Sequence, residues 1–168
     1  MLRWACSVEH CRMWEMTFEL GCAAAAITHG HPLGYLPAGF LAAQIFYLVS
    51  ARTLEETISE SMLVLVERPE YEKSCLAAMI ARAVRSSINE KPCPETIERL
   101  GGGWVGEEAL AISLYCVMVA KGDFGQGIRL AVNHSGDSYS TGAITIAVWI
   151  FRIARVSNGE RIDLEWRG

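Results

Sequence analysis

The chain has 168 residues, 51% hydrophobic and 20% charged, a composition that builds a core and excludes an intrinsically disordered polypeptide. At this length roughly two thirds of the unfolded surface can be buried, enough for one domain or a large piece of one. Fifteen Lys and Arg against 19 Asp and Glu leave a net charge of −4, and the basic residues are scattered, so no nucleic-acid partner is expected.

From the N-terminus, Met1 to Cys11 mixes Arg3, Glu9 and His10 with apolar side chains and forms no secretory h-region, so the expected location is the cytoplasm. Six cysteines with no Cys-x-x-Cys pair read as reduced thiols. Cys6, His10 and Cys11 lack a fourth zinc ligand at suitable spacing and read as incidental. A first helix runs from Trp14 to about Thr28 through the Ala23 to Ala26 run, whose small side chains favour close packing. A second begins near Leu36-Pro37, with Pro in its first turn, and is apolar on nearly all sides through Phe40, Leu41, Ile45 and Leu48, so its place is central. The segment Leu20 to Ala51 lacks Asp, Glu, Lys and Arg, but His29 to Gly34 divides it into pieces that read as too short to cross a bilayer. No membrane partner is expected.

Thr53-Leu54-Glu55-Glu56 has capping-box spacing and opens a third helix that ends before Pro69. A fourth covers roughly Glu70 to Ser87, with Leu76, Ile80, Ala83 and Val84 on one face. Glu95 to Leu100 is a short helix that runs into Gly101-Gly102-Gly103, and Ala109 to Ala120 is a strongly apolar one. Phe124 to Val132 and Ser140 to Arg152 complete the pattern, separated by the polar loop Asn133 to Ser138. No segment alternates as a strand, so the expected class is all-α. Several helices lack a polar face, which calls for enclosure by helices of a larger domain or a second subunit.

Three segments hold the polar chemistry. In Asn133 to Gly142, Asp137 or Ser138 can cap the following helix, or the cluster of oxygens can hold a hard cation; an EF-hand is excluded because Val148 stands where its bidentate Glu belongs. In Thr28-His29-Gly30-His31-Pro32, a histidine at a helix C-terminus is favoured by the dipole, and alternate spacing around glycine argues against metal at His29 and His31. In Leu100 to Leu110, glycines before a helix can cradle phosphate, but the Gly-Lys-Ser/Thr of a Walker loop is absent, and a turn between packed helices explains them.

Taken in order, Thr28-His29-Gly30-His31-Pro32, Leu100-Gly101-Gly102-Gly103-Trp104-Val105-Gly106-Glu107-Glu108-Ala109-Leu110 and Asn133-His134-Ser135-Gly136-Asp137-Ser138 resemble the ADP-ribosylglycohydrolase family, which includes the dinitrogenase reductase-activating glycohydrolases. The resemblance covers residues 18–145 and corresponds to the C-terminal part of that family's multi-helix orthogonal bundle, so a truncated domain is expected, flanked by divergent segments 1–17 and 146–168. It implies a hydrolase that removes ADP-ribose from a modified side chain, with two Mg²⁺ or Mn²⁺ ions orienting the ribose and activating water. The family's C-terminal Asp-x-Asp-Ser/Thr motif falls on Asp137-Ser138-Tyr139-Ser140, making Asp137 and Ser140 the implied metal ligands and His29 the implied substrate contact. The implied partners are ADP-ribose or an ADP-ribosylated protein, and a complementary N-terminal chain or a homo-oligomer.

The chain departs from that pattern in one chemically decisive respect. The family's upstream Thr-Asp-Asp has no counterpart, because the only aspartates are Asp123, Asp137 and Asp163, and Tyr139 replaces the second carboxylate of the downstream motif. Severe loss of metal affinity and of turnover is therefore expected; the remaining alternative is a catalytically dead helical module that binds ADP-ribose, a nucleotide or a complementary chain.

Overall fold

The computed structural model describes the backbone of residues 8–50, 52–70 and 72–156, and the side chains of 13–50, 52–70 and 72–153. Eight helices and no strand lie among these residues: α1 Val8–Ala26, α2 Pro32–Val49, α3 Leu54–Val66, α4 Lys73–Asn89, α5 Pro94–Leu100, α6 Gly106–Val119, α7 Phe124–Val132 and α8 Ser138–Val156. The all-α expectation holds, and α1 and α8 run unbroken past residues 17 and 145.

Helix α1 starts at Val8 rather than Trp14, and α2 also starts before its expected position. It begins at Pro32, with Pro37 inside the helix rather than in its first turn. The reason is His31, whose ring Nδ1 accepts the Leu33 N–H at 3.2 Å and so caps the helix one turn earlier. Pro37 has no N–H for the Leu33 carbonyl, and Gly106 at the start of α6 sits there: a methyl group on it would lie 3.1 Å from the Leu33 oxygen and 3.2 Å from the Pro37 ring. At 18 residues α2 meets the lower length limit for a membrane span instead of falling short of it. In the bundle its face of Leu36, Phe40, Ala43, Gln44, Tyr47 and Leu48 is buried against α1, α3, α6 and α8.

The centre is α6, where every residue from Ala109 to Val117 is buried. Two apolar clusters meet on it. Leu110, Leu114 and Val117 join Phe18, Phe40, Leu65 and Leu76, while Ala111, Ile112, Tyr115 and Cys116 join Ile97, Leu100 and Ala131. The capping box expected at α3 is present: Thr53 N–H donates to Glu56 at 2.8 Å and Glu56 N–H to the Thr53 hydroxyl at 3.2 Å. The Arg68 guanidinium pairs with Glu19 and stacks 5.0 Å from the Phe18 ring, tying the α3–α4 turn to α1.

Candidate functional site

The three polar segments meet at one end of the bundle through a chain of contacts. At the α1–α2 turn, a methyl group on Gly34 would lie 2.7 Å from the His29 Cβ, so the ring-bearing residue rests on the first turn of α2. The same turn touches Gly106, and the glycine loop before Gly106 continues to the α7–α8 loop, where Asp137 N–H donates to the Gly102 carbonyl at 2.7 Å. Gly136 lies so close that any side chain would put its Cβ 1.8 Å from the Gly102 oxygen. Gly103, at φ +73, holds a backbone conformation that L side chains rarely adopt.

The glycine loop leaves no cradle of bare N–H groups. Glu108 Oε2 accepts from both Gly102 N and Gly103 N at 3.0 Å, so the chain's own carboxylate fills the position a phosphate would take. The turn reading of these glycines holds.

Asp137 caps α8. Its Oδ1 accepts from Tyr139 N and Ser140 N, both at 3.1 Å, and its Oδ2 accepts from the Ser140 hydroxyl at 2.5 Å. The Ser140 hydroxyl, then its N–H and that of Tyr139, hold the carboxyl below the ordinary value of 3.8. Tyr139 points away, 87% exposed, so the implied ligands Asp137 and Ser140 stand together as a cap and the position between them faces solvent.

Beneath the cap lies a polar knot that sequence reasoning missed. Gly136 N–H donates to His134 Nδ1 at 3.1 Å, which leaves the ring proton on Nε2, 3.0 Å from the Thr141 hydroxyl. The Thr141 hydroxyl in turn lies 2.7 Å from the Ala131 carbonyl and 2.9 Å from that of Asp137. Ser113 donates from α6 to the Thr141 carbonyl at 3.0 Å. Thr141 and Ser113 are fully buried. Their partners are scattered from Ala109 to Thr141, and no periodicity in the sequence links them.

His29 is exposed, its Nδ1 2.8 Å from the Thr28 hydroxyl. His31 is the α2 cap already described, a role that accounts for it without metal. Among the described residues no three His, Cys, Asp or Glu side chains gather where they could share an ion. The side chains of Cys6, His10 and Cys11 lie outside the described residues. Cys22, Cys75, Cys93 and Cys116 are free thiols; burial pushes Cys22 up to about 11 and Cys116 up to about 12, so both are inert.

The donor set does not fit a binuclear metal centre. Among the described residues the Asp-x-Asp-type motif supplies one carboxylate, Asp137, and three hydrogen bonds from its own helix already occupy it. The comparisons agree on the scaffold. The family profile described as ADP-ribosylglycohydrolase matches residues 5–149, while searches of curated proteins and of solved structures return no match. A match over most of the chain, and three motifs gathered at one end of an all-helical bundle, mean that this chain belongs to the ADP-ribosylglycohydrolase family.

Proposed function

We propose that this chain is an ADP-ribosylglycohydrolase-family domain that retains the scaffold of the hydrolase but does not turn over. The observation that carries this reading is the state of Asp137: its carboxylate serves as a helix cap and Tyr139, exposed beside it, supplies no second carboxylate. Mg²⁺ or Mn²⁺ then has one oxygen-rich side where the ancestral chemistry needs several carboxylates. No hydrolytic step is assigned to the residues present.

Recognition of ADP-ribose is a separate property from hydrolysis. The reading keeps His29 as the ligand contact, because it is exposed and its ring is anchored through Nδ1 to the Thr28 hydroxyl. The reading keeps a cytoplasmic setting for the chain. A second reading, a helical module that docks a complementary N-terminal chain, is favoured by the apolar residues α1 exposes: Met13, Met16 and Leu20. Together with α3 they border a groove of about 880 Å³.

Isothermal titration with Mn²⁺ and then ADP-ribose tests the main reading. The expected result is no micromolar metal binding and no release of ADP-ribose from ADP-ribosyl-arginine. Tyr139→Asp, which recreates Asp-x-Asp-Ser, is expected to strengthen Mn²⁺ binding without turnover. Micromolar Mn²⁺ affinity in the unaltered chain that disappears in Asp137→Ala, accompanied by hydrolysis, sinks the proposal.

A further inference from the structure

The groove between α1 and α3 joins an apolar lining to an acidic rim. Met13, Met16 and Leu20 stand on α1 at spacings of three and four, which places them on one helix face, and Met16 and Leu20 are 68% and 71% exposed. Val64 lines the groove from α3. The charged side chains in its walls are Glu15, Glu19, Glu67 and Arg68. Arg68 is committed, because its guanidinium pairs with Glu19 and lies over the Phe18 ring. Glu15 and Glu67 are left, one from each side. Both are exposed, and neither carboxylate has a hydrogen bond or ion pair among the described residues. Glu67 also stands at the C-terminus of α3, where the helix dipole disfavours a negative charge. The Lys73 ammonium donates to the Val66 and Arg68 carbonyls instead of to this carboxylate.

We propose that this groove docks an amphipathic helix of another protein, one whose polar flanks carry Lys or Arg. The inference rests on the second reading above, that the groove receives a helix from another chain, and adds the chemistry of that helix. Its apolar side chains lie on Met16, Leu20 and Val64, in the manner of helix-in-groove recognition, and the unbranched methionine thioethers adapt to the shapes that enter. Its cations meet Glu15 on one wall and Glu67 on the other, a charge complementarity that steers and orients such complexes. Other occupants match less well. A second copy brings the same two carboxylates to the same face. Within this chain, residues 1–7 hold a single Arg, and residues 157–168 hold two Arg among three acidic residues, so neither segment supplies two spare cations. A helix with acidic flanks meets like charge on both walls.

Fluorescence anisotropy with a labelled leucine–lysine helix of about four turns tests this, beside a leucine–glutamate helix of the same pattern. The lysine peptide should bind at least about tenfold tighter than the glutamate one and lose affinity as salt rises. Glu67→Lys should weaken it about tenfold, whereas Glu98→Lys, an equal change in net charge at an exposed position on α5, should leave it within about twofold. Leu20→Ser, at an exposed position and with unchanged far-UV circular dichroism, should weaken it as well. Equal binding of the two peptides overturns the cationic occupant and leaves the docking reading standing. Absence of binding by both peptides overturns the two together. Affinity that Glu98→Lys lowers as much as Glu67→Lys does, or that Leu20→Ser leaves unchanged, is general attraction to an acidic surface and overturns the proposal. A dimer of the chain that dissociates in Leu20→Ser would assign the groove to a second copy and overturn it too.

Discussion

Asp137 illustrates how one side chain can satisfy two descriptions that differ in consequence. Its position was legible in the sequence, as a cap or as a cation ligand, and the three bonds from Tyr139 and Ser140 realise the cap. Because the folded carboxyl sits below its ordinary 3.8, its contribution to stability is complete above that value and is lost as pH falls through the lower, folded one. Urea midpoints measured from pH 5 downward should therefore drop more steeply for the unaltered chain than for Asp137→Asn, the two curves converging at the acid end. Thr141 was not legible as important, since a threonine inside an apolar helix has no distinguishing pattern. It is fully buried and joins the Ala131, Asp137 and His134 groups, so Thr141→Val should cost about 1–3 kcal/mol in chemical denaturation by removing the hydroxyl partner of the Ala131 carbonyl and the His134 ring, while the Asp137 carbonyl keeps the residue-141 N–H.

At the scale of the element, helix existence followed from periodicity and helix ends followed from local side-chain chemistry. The box at Thr53 and Glu56 could be read directly because both partners lie within four residues. The true start of α2 could not, since His31 is an unusual capping residue and Pro37 looked like the better signal. That helix also contains Gln44, fully buried with neither amide atom bonded to another described group. Gln44→Met keeps the volume and removes two unmatched polar groups, and should raise the thermal midpoint by an amount equivalent to about 1 kcal/mol or more.

Over the whole molecule the two apolar clusters share α6, so they should unfold as one. Ile112→Ala, in the cluster with Ile97 and Leu100, is expected to cost about 2–5 kcal/mol. The transition seen by tryptophan fluorescence, with the other four tryptophans replaced by Phe so that Trp149 in the other cluster is the reporter, should shift as far as the one seen by far-UV circular dichroism. Independent shifts would mean that the clusters are separate folding units. The sequence by itself determined the helical class, the order of the helices and the family, because hydrophobic periodicity and short contiguous motifs are local. It also determined the shortage of aspartates, because a residue that is absent from the chain cannot be supplied by folding. Only the tertiary structure decided that Glu108 fills the glycine loop, that Asp137 is spent on its own helix, and that Tyr139, Ile146 and Ile150 face outward. Those facts depend on which segments lie against one another and on which side of α8 remains uncovered, and neither follows from the spacing of residues along a single helix.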